Sequence, residues 1–398
     1  MNTDIYFKEM KEIQDKIINY LDENTSIEDI NNFFDDIKIH DNGRKVKSVL
    51  SFIIKISNNF HRQANFFNKI DQILQLIKLD IKKYFTNYEI FLFCKSNKRI
   101  LLFFIEEQII TIDESIAKKL TTYKYIKKKY HRYFSPEIRP FIHAKTVLKK
   151  ESDDEINDND DNDDDNDDET EDDTYENEEE EEIDFDEPLP ENFYEKRKIG
   201  ENDSVICELI QKNLIEDFVR YTTQTSYSLN STIKPSIYET NSLLLKKEDV
   251  SLIEYAAFYG SKEIFDYLIL NNINLTQSLW EYAIHGKNAD IIHALEKNKI
   301  QPDGSYEIIF KESIKCHHNA IADYIEMNYL EKQNLDETLI HSLKYYNFYF
   351  IQAQMVDEKV MPYLIQYDYD FLVDIFADEE GFDANMNLIH IYLFLIQF

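Results

Sequence analysis

Between Ser251 and Ile300 the chain repeats itself, and that repetition constrains its fold more than any other feature. The stretch SLIEYAAFYGSKEIFDYLILNNI (251–273) returns as SLWEYAIHGKNADIIHALEKNKI (278–300), with nine of 23 positions identical at an offset of 27. Repeats this short are single supersecondary units that cannot bury an apolar face alone, so they must stack on one another. Within the unit, Ala256 and Ala257 are small enough for two helices to approach closely. Gly260 can end the first helix with positive φ, and Ser261 can cap the second. Ile264, Leu268 and Ile269 then fall on one helical face. A third copy fits at a further offset of 30, through Ile314, Ile321 and Ile325. A fainter fourth runs from Leu339 to Phe350, and an earlier helix pair is expected around Ile206 to Val219.

The rest of the chain is divided by charge. Residues 1–150 carry a net +8, residues 151–187 carry −25 with no Lys or Arg, and residues 188–398 carry −16. The middle block, rich in Asp, Glu and Asn, cannot bury enough apolar surface to offset its ordering entropy, and its like charges repel. It is expected to be a disordered acidic linker over 151–190, separating a basic helical bundle (1–150) from a repeat domain (191–398). In the first region Tyr6, Met10, Ile13, Ile17 and Tyr20 step by four and three residues, which is one helix face. Ile70, Leu74, Ile77, Ile81 and Phe85 give a second stripe, Ser26 with Asp29 marks a helix start, and Ile100 to Ile105 is a buried segment, read as helix. Five to seven helices are expected over residues 4–147. Gly (6) and Pro (7) are too scarce for an all-β chain with frequent turns. The fold class is therefore all-α.

The first half of the repeat, IEYAAFYGSKEIFDYLI, resembles the ankyrin core pattern. Ile253, Ala256, Ala257, Gly260, Glu263, Ile264, Leu268 and Ile269 fit its Leu, Ala, Ala, Gly, Glu, Ile, Leu and Leu positions. Ser251-Leu252 stands where that pattern has Thr-Pro, and Glu254 where it has His. The spacing of 27 to 30 falls short of the usual 33, so the hairpin between units should be shortened or absent. More of the chain, through NNFHRQANFFNKIDQIL, NYEIFLFCKSNKRILLFFIEE, YFSPEIRPF, IKPSIYETNSLLL and SIKCHHNAIADYI, resembles a large ankyrin-repeat-associated family of parasitic protists that carries a domain of unknown function. The resemblance implies an ankyrin-like helical solenoid that binds a protein partner, and it brings no catalytic residues.

The expected function is thus a protein–protein interaction scaffold or adaptor, not an enzyme. Tyr255, Phe258, Tyr259, Tyr282 and His285 are the expected partner contacts. No Gly-rich phosphate loop, nucleophile elbow or paired Cys motif is present, so no catalytic residue, cofactor or metal is expected. Cys316-His317-His318 offers metal-ligand types, but neighbouring positions on a helix point apart, and the segment reads as a repeat turn. His61-Arg62 beside Asn58-Asn59 is polar in an apolar context and reads as a core or capping group.

Residues 118–150 hold eleven Lys/Arg against one acid, including a patch of Lys127, Lys128, Lys129 and Arg132. Tyr123, Ile126, Tyr130 and Tyr133 are spaced as a buried face beneath it. The acidic tract, within or between chains, is its simplest partner, and nucleic acid is not the expected one. A competing reading makes the chain an acidic chaperone, or a nucleic-acid-associated factor, that shields basic clients through Asp153 to Glu187. Three scattered cysteines suggest a reducing compartment. With no apolar leader and no apolar run above six residues, the chain is expected inside the cell, in the cytoplasm first and the nucleus second. The apolar end, LIHIYLFLIQF, is an anomaly for a solenoid, which needs a polar terminal cap.

Overall fold

A computed structural model describes residues 3–63, 65–122, 130–142, 187–247, 249–332, 334–356, 358–369 and 372. The described residues are helical throughout, and their one β pairing is an isolated bridge between Thr232 and Ser251. They fall into two compact units. One holds the described residues of 1–111 together with those of 194–398, and the other those of 112–193. The expected boundary at residue 150 therefore does not part the molecule. The N-terminal helices and the repeats share one unit. The acidic tract from 151 to 186 lies outside the described residues, as does the apolar C-terminal end.

In the larger unit α1 (Thr3–Leu21) buries Tyr6, Met10, Ile13, Ile17 and Tyr20, the stripe set by its period. Ser26 and Asp29 form a capping box that starts α2 (Ile27–Asp36). Helix α3 (Gly43–Asn59), capped by Asn42, buries Val46, Val49, Leu50, Phe52, Ile53 and Ile56. It is apolar over most of its circumference because neighbours surround it. Helix α4 (Phe66–Tyr84) packs along it. The capping box of Thr86 and Glu89 opens α5 (Asn87–Cys94), and Asn97 caps α6 (Lys98–Glu106), which makes the apolar run 100–105 a buried helix. The smaller unit contains α7 (Glu114–Leu120) and α8 (Tyr130–Tyr133).

After α9 (Phe193–Ile199) the chain runs as helix pairs: α10 (Val205–Gln211) with α11 (Ile215–Gln224), then, past the short α12 (Ser242–Lys246), α13 (Leu252–Phe258) with α14 (Lys262–Leu270), α15 (Leu279–Gly286) with α16 (Ala289–Lys297), and α17 (Tyr306–Lys315) with α18 (Asn319–Tyr329). First helices pack on first helices from α10 through α13, α15 and α17 to α19 (Leu335–Lys344), and second helices follow from α11 through α14 to α16. The fourth copy is half a pair. After α19 the chain makes a turn and a short 3-10 segment, Ala353–Met355, before α20 (Met361–Gln366). No helix among the described residues is long and apolar enough to cross a membrane.

Candidate functional site

The turn after the first helix is built the same way in three pairs, from α13 to α18, and once more after α19. Gly260, Lys287, His317 and Tyr346 all take left-handed backbone, with φ of 64°, 50°, 57° and 56°. The next side chain, Ser261, Asn288, His318 or Asn347, donates a hydrogen bond to a carbonyl of the preceding pair. Ser261 reaches Ile210, Asn288 reaches Gly260 at 2.9 Å, His318 reaches Ile284 at 2.8 Å, and Asn347 reaches Ile314 at 2.8 Å. Ser261 thus ties two pairs together and does not cap its own helix, as its spacing had suggested. At the other end of the first helix Ser251 and Glu254 form a capping box, and Glu254 also accepts from Ser278 of the next pair at 2.6 Å.

Helices α1 and α3 cover this row of turns. Phe52 packs edge-on against His317 and Phe60 against His318. Asp22 pairs with Lys287 at 2.8 Å, and Gln14 accepts the Phe348 N–H at 2.6 Å. The histidines of Cys316-His317-His318 are consumed in this contact. The Nε2 of His317 meets the Tyr345 carbonyl at 2.9 Å. A ring nitrogen on a carbonyl must be the protonated one, and burial lowers His317 to about 3 and His318 well below the ordinary histidine value, so both rings are neutral donors.

The five expected partner contacts lie elsewhere than expected. Tyr255, Phe258, Tyr259, Tyr282 and His285 are between 0 and 7% exposed, so they form no open partner surface, though Tyr259 lines a cavity. Helices α13 and α15, which carry these residues with Tyr259 as the α13 C-cap, have a first helix on both sides, and helices α1 and α3 close the turn end. These aromatics fill the space between. Gln211 donates to the Tyr255 hydroxyl at 2.9 Å, and Phe258 stacks on His285. His285 in turn meets Glu312 at 2.7 Å, beside Cys316. Burial pushes the Glu312 carboxyl up, but Lys315, 3.1 Å away, and His285 outweigh it and hold the group well below its usual range. The Glu312 carboxylate is thus already shared between an ammonium and an imidazole. Of the basic patch, Lys127, Lys128 and Lys129 lie outside the described residues. Arg132 pairs with Glu187, the last acid of the tract, at 3.7 Å, and Arg139 donates to the Glu187 carbonyl. Tyr130 and Tyr133 beneath them are buried.

A cavity of about 500 Å³ opens where the loop after α3 and the start of α4 meet α9 and α10. Arg62 is its most unusual wall residue. The side chain is 2% exposed, and its guanidinium lies over Phe66 and Phe67 at 4.7 and 4.6 Å. Its Nη2 donates to Thr240 at 3.3 Å, while Nε and Nη1 are buried with no hydrogen-bond partner. No carboxylate among the described residues stands within ion-pair distance of it. The other cations of the wall are paired: Lys196 with Asp203 at 2.9 Å, Lys198 with Glu106 at 3.2 Å and Lys212 with Glu208 at 2.5 Å.

Two acids stand near Arg62 without reaching it. Glu201 lines the cavity, and burial, opposed by Arg62 and reinforced by Glu239, raises it to about 7. Glu239, behind the wall, accepts the N–H groups of Thr240 and Asn241 at 2.8 Å through one oxygen and leaves the other unpartnered. Burial raises this carboxyl too. Sequence reading missed the site because Arg62, Glu201 and Glu239 are far apart in the chain. The available signal was an arginine in an apolar stretch, which the reading assigned to the core. Compared with protein-family models, curated proteins and solved structures, the chain matches none.

Proposed function

We propose that the chain is a protein-binding scaffold, an ankyrin-like solenoid whose working face is the row of loops joining one helix pair to the next. The observation that carries this reading is the covering of one edge of the stack. Helices α1 and α3 occupy the turns within the pairs, and alternate connections of a helix series lie at opposite ends. The loops 271–278 and 298–305 are thus left facing solvent, with Asn271, Asn274, Gln277, Asn298, Gln301 and Asp303 exposed. Several features favour the ankyrin-like reading: the small Ala256-Ala257 pair, the left-handed Gly260, and the packing of each first helix on the next. Glu254 takes the part that the ankyrin pattern gives to His, tying the start of one pair to the next. Neither loop forms a paired hairpin, as the short spacing requires.

The test is affinity capture from source-cell lysate with three forms: the full chain, one lacking residues 151–187, and one carrying Asn274→Arg, Gln277→Arg and Gln301→Arg. The scaffold reading expects specific proteins common to the first two and lost from the third, with helical content and melting unchanged. Basic proteins or nucleic acid that follow the acidic tract would favour the chaperone reading. Capture undisturbed by the loop substitutions would place the working face elsewhere.

A further inference from the structure

We propose that the cavity beside Arg62 binds a small zwitterion, an apolar α-amino acid, with its carboxylate on Arg62, its ammonium on Glu201 and its side chain against Phe66 and Phe67. A buried guanidinium costs free energy unless it is paired, and pairing is what Arg62 lacks. Its two idle donors face no protein acceptor. Glu201, on the same wall, has no hydrogen bond or ion pair among the described residues and stands beyond ion-pair distance of Arg62. Arg62 and Glu201, an unmatched cation and an unmatched acid, are thus wall residues of the same cavity.

A zwitterion matches both at once. A simple anion would satisfy Arg62 but meet Glu201 and Glu239, and a dianion such as phosphate would be repelled more strongly. A simple amine would satisfy Glu201 and face the guanidinium. Phe66, Phe67 and Tyr259 supply aromatic wall, with Ile199 at the rim, beside polar neighbours such as Gln63, Asn65 and Asn68. The aromatic part suits an apolar body, and the volume falls in the range of small-ligand sites.

Phenylalanine and leucine are the probes, tested against the full chain by calorimetry and thermal shift. Phenylacetate lacks the ammonium, phenethylamine lacks the carboxylate, and inorganic phosphate tests a bare anion. Phenylalanine or leucine is expected to bind at least about tenfold more tightly than any control, a preference on the order of 1.4 kcal/mol. Arg62→Met should abolish binding, and Glu201→Gln should erase the preference for phenylalanine over phenylacetate. Ile199→Glu, at an exposed rim position, should weaken binding without touching the buried wall, and it keeps the test decisive if Arg62→Met fails to fold. Three outcomes would overturn the proposal: neither amino acid binding the intact chain, phenylacetate binding as well as phenylalanine, or Arg62→Met and Ile199→Glu both leaving affinity unchanged.

Discussion

Single atoms decide how closely the helix pairs can stack. A Cβ on Gly286 would overlap the carbonyl oxygen of Ala257, and one on Gly260, already left-handed, would sit 2.5 Å from the Gly286 oxygen. Backbone cannot move aside as a side-chain tip can. Gly286→Ala is expected to cost about 1–3 kcal/mol or more, seen as a lower urea midpoint. Gly304→Ala is a useful contrast. A Cβ there meets only the flexible tip of Ile308, so its cost should come mainly from the left-handed backbone. The buried histidines add a pH dependence. Unfolded histidines bind protons below about pH 6.5. In the fold His317 is held to about 3, and His61 and His341 to about 4. Below pH 6.5 the unfolded chain therefore binds more protons, and these groups subtract stability as pH falls. Glu201, raised to about 7, acts in the opposite direction between there and its unfolded value. The difference between two proteins isolates one histidine. His318 faces Lys287, His61, His285 and the Ile284 carbonyl, and Asn288 and Asn347 do its hydrogen-bonding work in neighbouring pairs. His318→Asn should keep the carbonyl bond and lose less stability than the parent between pH 7.5 and 5. An equal loss in both proteins would show that His318 is not part of the pH response.

The individual helices were the most legible part of the sequence, because period and caps are local. The stripe of α1, the capping box at Ser26 and the repeat with its Ala-Ala contact could all be read from neighbouring residues. What each helix faces could not. Tyr255 and Tyr282 carry a polar hydroxyl on an apolar ring, so composition alone does not say whether they line a surface or a seam. The stack, which places first helices on both sides, decides for the seam. The meeting of α1 with residues 347–348 was equally hidden, since Gln14 is buried there and joins segments more than 300 residues apart. Gln14 accepts the Phe348 N–H and donates to Asn347 at 3.3 Å. Gln14→Leu would leave the buried Phe348 N–H without a partner, while the Asn347 oxygen would keep the Tyr349 N–H. A loss of roughly 1–3 kcal/mol is expected. Gln14→Glu should cost less only in acid, where the protonated carboxyl can accept from Phe348 and donate to Asn347. Ionised, it would be a buried charge facing the Asn347 oxygen. Equal losses in calorimetric melting in acid would mean that the packing of this side chain matters and its hydrogen bonds do not.

For the whole molecule, the chain's order and its compact units disagree. The charge pattern suggests two domains on either side of an acidic tract. The packing makes residues 3–111 the cover of the repeat stack. Asn58, Asp22 and Gln14 hold Asn241, Lys287 and Asn347-Phe348, and Phe52 and Phe60 close over the two neutral histidines. A fragment beginning at residue 188 would expose these polar and apolar groups together. It would also open the wall of the Arg62 cavity, because Phe66, Phe67 and Arg62 itself come from the N-terminal part. The fragment is therefore expected to bind a hydrophobic dye, to melt without a sharp transition and to be cut quickly by protease. Adding residues 1–111 as a separate chain should restore a cooperative melt if the contact is strong enough without a covalent link. A chain lacking only 151–186 keeps both partners and should melt as the full protein does. Cooperative melting of the isolated fragment near the parent midpoint would mean that the repeats carry their own stability and that the N-terminal helices are a lid, free in principle to lift from the turns.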